Sequence, residues 1–311
     1  MRQGARTFRL YGLTVRTDLP LNVDEVVAHD PDVVISYAAA PRLGAAVDSF
    51  TTDWQQSAEG ARLAYRYGTD QLEFLLDAGA RRMRIRCSRP NLTAEVGSIL
   101  IGPGMASALH ARGARMLHGS AVVVRGGAIV CLGAAGTGKS TLTAAMVAAG
   151  AQLLTEDLAV IDEPGGLAMV RSGYPRIGLN PDSLVALGCG LDHPRVNWEA
   201  SGDDKRGLDA RLLAGGFSPE PAPLRAIYAL SARRRDVRAV VVEPCPPRHA
   251  MPILMSHVYG RHWLPTTPAQ VMTWCAELAE RVPLYSVALS DRIEDVADAG
   301  IEICRRSATG P

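Results

Sequence analysis

Gly133-Ala134-Ala135-Gly136-Thr137-Gly138-Lys139-Ser140 satisfies the pattern G-x-x-x-x-G-K-[ST] at every fixed position. Residues of these types at this spacing cradle a polyphosphate. The glycines let successive backbone N–H groups turn inward, and the first turn of a following helix adds a favourable dipole. Lys139 is then expected at the β- and γ-phosphates and the Ser140 hydroxyl on Mg²⁺, with Thr141 closing the nucleotide-binding segment. The context agrees: the apolar run Ala128 to Leu132 precedes the loop, and a helix from Lys139 to about Ala149 follows, closed by Gly150. ATP and Mg²⁺ are the expected cofactors.

Two acidic pairs compete for a role beside that loop. Glu156-Asp157 follows Leu153-Leu154-Thr155, and Asp162-Glu163 follows the apolar run Leu158 to Ile161, in the manner of a Walker B segment. The second pair would make the chain an ATPase, with Asp162 on Mg²⁺ and Glu163 polarising water. It runs straight into Pro164-Gly165-Gly166, however, which reads as a solvated hairpin turn. The first pair is preferred, since it ends the first strand after the phosphate-loop helix, and in a doubly wound sheet the carboxyl ends of strands line the ligand crevice. His118 stands 21 residues before Lys139, and the favoured acids stand 17 and 18 residues after it. If the strand hairpin between His118 and the loop folds back, the imidazole faces both acids across the terminal phosphate. Arg171, Arg176, Lys205 and Arg206 are further candidates for phosphate or substrate contact. Lysine occurs only at Lys139 and Lys205 among 33 positive charges, which singles out the second lysine.

The elements that must hold these residues follow an α/β grammar from Met116 onward. Ser120 to Val124 and Ala128 to Leu132 form a hairpin through Arg125-Gly126-Gly127. One strand is expected within Leu153 to Ile161, with Leu167 to Val170 as a partner across the Gly165-Gly166 turn. A short helix follows Asn180-Pro181, and strands follow at Leu224 to Leu230 and Val237 to Val242. An amphipathic helix opens at Thr267-Pro268, then a strand spans Val282 to Leu289 and a last helix Arg292 to Ala299. Segment 189 to 222 is rich in Gly, Pro and Asp and reads as a loop near the site. Residues 1–90 read as a small β-rich module, with runs at Phe8 to Val15, Leu63 to Tyr67, Leu72 to Leu76 and Met83 to Cys87, and Arg84 and Arg86 facing water. A connecting helix over 91–115, reading from Leu92 to Arg112 and kinked at Pro103, leads into a nucleotide-binding domain over 116–311.

Composition narrows the function classes. With 311 residues, 47% hydrophobic, and a net charge of +1, the chain is no disordered segment and carries no footprint for nucleic acid. No apolar run is long enough to span a bilayer, and Met1 to Pro20 lacks a secretory apolar core. Six cysteines without a C-x-x-C pair read as buried thiols of a cytoplasmic protein. Neither nucleic acid nor membrane is expected as a partner.

The order His118-Gly119, hairpin, phosphate loop, helix ending in glycine, and two-acid step resembles the catalytic domain of HPr kinase/phosphorylase, from Leu117 to Asp162. The three spacings match that family's active site. The resemblance implies a phosphate-loop kinase in which Asp157 is the catalytic base and His118 its partner, carrying positive charge that keeps the acid ionised. Glu156 stands where the family has an aspartate. An arginine-bearing loop of the family contributes to its site, which leaves Arg171 and Arg176 both open. The N-terminal module is similar to that of shorter HPr-kinase-like proteins found beside lasso-peptide genes, which implies phosphorylation of a C-terminal serine of a precursor peptide. HPr itself, free serine, or a nucleotide-binding regulatory module without an acceptor are the alternatives. A homo-oligomer is compatible with the resemblance, while hexameric assembly and reverse phosphorolysis do not follow from these residues.

Overall fold

The computed structural model describes residues 5–19, 21, 23–88, 96–97, 99–190, 196–198, 205–262 and 264–309. The chain divides into two compact units, one of residues 1–115 with 260–266 and one of residues 116–259 with 267–311. The described residues of segment 91–115, expected as a connector, fall within the first unit. No helix among the described residues is long and apolar enough to cross a membrane.

The first unit is a seven-stranded sheet. Its strands are β1 (Arg6–Leu10), β2 (Leu13–Thr17), β3 (Val33–Ala39), β4 (Val47–Ser57), β5 (Gly60–Gly68), β6 (Asp70–Asp77) and β7 (Arg82–Cys87), in the order β1-β2-β3-β7-β6-β5-β4. The run Phe8 to Val15 is two strands rather than one, because Tyr11 and Gly12 both take positive φ and reverse the chain. On β7, Met83, Ile85 and Cys87 point inward while Arg84 faces water; Arg86 is only half exposed, 3.2 Å from Glu73. The expected helix is interrupted: Leu100–Gly104 forms a wide π-type turn around Pro103, and a regular helix, α1 (Met105–Ala111), follows. A proline cannot donate to the preceding turn, and the wider turn absorbs that loss. Residues 92–95 and 98 of the expected helix lie outside the described residues.

The second unit contains β8 (Arg115–Val124), β9 (Gly127–Leu132), α2 (Lys139–Ala148), β10 (Gln152–Thr155), β11 (Leu158–Asp162), β12 (Met169–Val170), β13 (Arg176–Leu179), α3 (Pro181–Ala186), β14 (Val196–Trp198), β15 (Arg206–Asp209), β16 (Ala222–Leu230), β17 (Val240–Cys245), α4 (Pro247–Ser256), α5 (Pro268–Arg281), β18 (Leu284–Leu289) and α6 (Val296–Thr309). The main sheet runs β10-β8-β11-β12-β16-β18-β17, with β9 pairing both β8 and β16. β9, β16 and β18 run parallel while β8 runs antiparallel to β9 and β10, and β17 to β18, so the sheet is mixed and not doubly wound. The cause is local: β8 and β9 are joined by Arg125-Gly126, both at positive φ, and a two-residue turn can connect only antiparallel strands.

β9 is buried along its whole length and explains why the phosphate loop starts from a fixed point. Ala128, Val130 and Leu132 pack with Leu254 of α4 and Trp274 and Leu278 of α5. Ile129 and Cys131 pack on the other face with Leu142 and Met146 of α2 and Ile303 of α6. Helices therefore cover both faces of the sheet, as period-two burial on both sides of a strand requires.

Three expectations change here. Segment 189 to 222 is not wholly a loop, because β14 and β15 complete a small antiparallel sheet with β13. The last helix does not stop at Ala299 but continues to Thr309 through Gly300. A Cβ at Gly300 would lie 2.7 Å from the Ala145 carbonyl carbon, so that glycine permits close approach of α6 to α2 instead of ending a helix. All six cysteines are free, yet only Cys87, Cys131 and Cys275 are buried; Cys189, Cys245 and Cys304 are half-buried.

Candidate active site

The loop begins where β9 ends and closes at the start of α2. Gly138 caps that helix with φ +100°, a conformation open to glycine at little cost. Thr137 Oγ1 donates to the Ala134 carbonyl at 2.8 Å, which tightens the turn, while Ala134, Ala135 and Gly136 form its exposed tip. Lys139 folds over this turn, its Nζ donating to the carbonyls of Gly133 at 2.6 Å and Ala134 at 3.3 Å. Burial lowers the Lys139 pKa, the Asp157 and Glu156 carboxylates oppose that fall, and Lys205 adds to it. The two lysines of the chain thus feel each other's charge.

The acids arise from a break in a strand. β10 and β11 both pair with β8, and Glu156-Asp157 forms the break between them. The register slips between Leu153 and Thr155, and Asp157 takes φ +66°. The break is pinned by Gly119 N–H donating to the Asp157 carbonyl at 3.2 Å and by Thr155 Oγ1 donating to the Leu158 carbonyl at 2.8 Å. A bulge of this kind re-aims side chains, and left-handed backbone at a non-glycine residue concentrates at functional sites. Here it brings Glu156 to the helix start: Ser140 Oγ donates to Glu156 Oε1 at 2.9 Å. The Thr141 hydroxyl is buried, lies 3.0 Å from Ser183 Oγ and takes part in packing against α3.

His118 reaches Asp157 from β8, with Nδ1 3.3 Å from Oδ1. Its own backbone is fixed by a hydrogen bond from His118 N–H to the His257 carbonyl at 2.7 Å, beside a bridge between Leu117 and Val258. Burial lowers the His118 pKa; Asp157 pulls it upward, while Lys139 and His257 lower it further, and the net direction is downward. The imidazole is therefore biased toward its neutral form, and the expected positive charge is corrected. Burial is the largest of these influences, and the pull of Asp157 does not offset it. His257 and Tyr259, whose ring lies 6.0 Å from that of His118, were not singled out by sequence. They arrive through the bridge at Val258, a long-range pairing with no local signature.

The basic candidates separate. Arg171, opposite Val160, donates to Asp162 at 2.5 and 2.8 Å, so its guanidinium is engaged at the end of β11 away from Asp157. Glu163 is held by Arg281 at 2.6 Å. Arg176 packs its guanidinium over the Tyr174 ring at 5.6 Å and opens β13 opposite Asp209 of β15. Arg206 lies at the other end of that ladder, opposite Leu179, the end that leads to Ser183 and Thr141. Lys205 precedes it, within electrostatic reach of Lys139. Arg233, also unanticipated, follows β16 and lies against Gly138.

The Ser140 hydroxyl and Glu156 carboxylate are hard oxygen donors side by side. They fit Mg²⁺, which keeps waters and phosphate oxygens as its remaining ligands and needs no all-protein cage. Among the described residues no group of three His, Cys, Asp or Glu forms such a cage.

No protein-family model matches the chain, and no curated protein matches it. Among solved structures, the Hpr(Ser) kinase/phosphatase from Coxiella burnetii is similar over 61% of this chain and 95% of its own, at 10% identity and a TM-score of 0.33. A likeness that shallow assigns neither activity nor substrate, which leaves the residues themselves to carry the functional reading.

Proposed function

We propose that the chain is an ATP-dependent kinase that phosphorylates a serine hydroxyl, with the C-terminal serine of a lasso-type precursor peptide as acceptor. One observation supports this most: the His118–Asp157 contact at 3.3 Å, on a strand break that also sets Glu156 on Ser140. Phosphoryl transfer needs positioning, charge neutralisation and an acceptor for one proton. Asp157 takes the serine proton as the bond from serine Oγ to Pγ forms and the bond from Pγ to the β,γ-bridging oxygen breaks, with ADP as the leaving group. His118 holds the Asp157 carboxylate in orientation. Lys139, released from its contacts with the loop carbonyls, reaches the β- and γ-phosphates. Ser140 and Glu156 hold Mg²⁺, which when bound neutralises phosphate charge. The peptide acceptor rests on the sequence resemblance of the N-terminal module.

The test is incubation with labelled ATP and a candidate precursor peptide, followed by mass spectrometry of the peptide. The expected result is a single phosphate on the terminal serine, lost when that serine is replaced by alanine. Release of inorganic phosphate with every acceptor left unmodified would reject the kinase in favour of an ATPase.

A further inference from the structure

We propose that Arg233 binds the non-transferred phosphates of the nucleotide, an inference that rests on the reading above for the presence of a nucleotide on the loop. β16 runs parallel to β9, with Ala229 beside Leu132, so the chain leaving β16 travels alongside the loop leaving β9. A Cβ at Gly133 would stand 3.1 Å from Leu230 Cβ. Three residues beyond Leu230 the Arg233 head group lies across Gly138. A Cβ built there would meet Nη2 at 2.7 Å and both Cζ and Nε at 3.3 Å. The absence of a side chain at Gly138 thus does two things: it permits φ +100° and it leaves room for the guanidinium.

The neighbouring arginines behave differently. Arg234 pairs with Asp236 and Arg235 with Asp291, whereas Arg233 turns to the loop and its Nε is buried with no hydrogen-bond partner among the described residues. A buried donor without an acceptor is costly, and a ligand oxygen at the loop would relieve it. The sheet order says which part of the ligand. His118, Glu156 and Asp157 come from β8 and the β10–β11 break, and β9 pairs with β8 on that side and β16 on the other. The transferred phosphoryl group must lie with the acids. Arg233 comes from the opposite flank, where a planar fork of donors suits the oxygens of the remaining diphosphate.

The experiment measures dissociation constants of ATP, ADP and tripolyphosphate for the wild-type chain, Arg233→Ala and Arg233→Lys, with rates of transfer at saturating ATP. Arg233→Ala is expected to weaken ATP and ADP by the same factor, about tenfold, and tripolyphosphate as well. Arg233→Lys should recover part of the loss, and saturating ATP should remove most of any deficit in transfer. Weakened ATP with unchanged ADP would move Arg233 to the γ-phosphate and overturn the proposal. So would unchanged tripolyphosphate, which would point to the base, a fall in rate at unchanged affinity, or no change at all. A wild-type chain that binds ADP but transfers nothing to serine would sink the kinase reading and leave Arg233 to be judged by ADP alone; a wild-type chain that binds no nucleotide would sink both.

Discussion

Two acidic pairs stand at the two ends of β11, and their partners, not their composition, set them apart. Asp162 receives two bonds from Arg171 and Glu163 is met by Arg281, so each acid is matched by a guanidinium that never gives up its proton. Asp157 meets a histidine biased toward neutrality, and Glu156 meets a hydroxyl at the mouth of the phosphate loop. Exposure does not separate them, since the Asp157 side chain is 47% exposed and that of Asp162 38%. An arginine fork occupies carboxylate lone pairs and holds them; a neutral imidazole orients a carboxylate and leaves it able to take a proton.

The comparison breaks most sharply at Asp157. Asp157→Asn should lower transfer to serine by about 10²–10⁴-fold while ATP binding stays within a few-fold, read by peptide phosphorylation beside direct nucleotide titration. Loss of binding in parallel would make Asp157 part of the nucleotide site instead. Glu156→Gln comes next. It should raise the Mg²⁺ concentration for half-maximal transfer by about tenfold, with most of the rate restored at saturating Mg²⁺. A rate that stays low at every Mg²⁺ concentration would assign Glu156 to catalysis.

His118 sharpens the comparison through its titration. Its pKa lies below the ordinary value of about 6.5, so the neutral form prevails at pH 7 and protonation sets in only as pH falls below that value. Any step that needs the neutral imidazole is therefore lost on the acid side, below about pH 6.5. Histidine resonances followed by NMR should show Asp157→Asn moving the titration still lower, because the acid that raises it is gone. Lys139→Ala should move it upward. Shifts of the opposite sign in either variant would show that another group controls the imidazole.

Much of the site was legible because its signals are local. The loop from Gly133 to Ser140 carries its turn and helix start in eight consecutive residues, and Thr267-Pro268 opens a helix whose capping box with Gln270 the structure displays. A strand end at Glu156-Asp157 was legible, but not the left-handed turn there or the second strand that continues along β8, because no glycine marks the left-handed residue. β14 and β15 gain their pairing from β13 and not from their own alternation. Gly300 reads as a helix stop until α2 is seen to need the space. Arg233 and His257 reach the site by strand order and by a bridge, neither of which leaves a trace in spacing.

The smallest expected effect is at Asp162, and it decides whether the partner-based distinction holds. Asp162→Asn leaves Arg171 with one amide oxygen in place of a two-bond carboxylate. Both groups keep contact with water, with side chains 38% and 24% exposed, so the stability lost should be only about 0.5–1 kcal/mol. High salt should shrink the difference further, since exposed pairs are screened. Transfer to serine should stay within about twofold, as expected of a substitution outside the reacting groups. The measurement is a denaturant midpoint at low and high salt beside the peptide assay. If instead Asp162→Asn abolishes ATP turnover while the midpoint barely moves, the acid at the far end of β11 is the one that works on the nucleotide, and arginine pairing is no mark of a structural carboxylate in this fold.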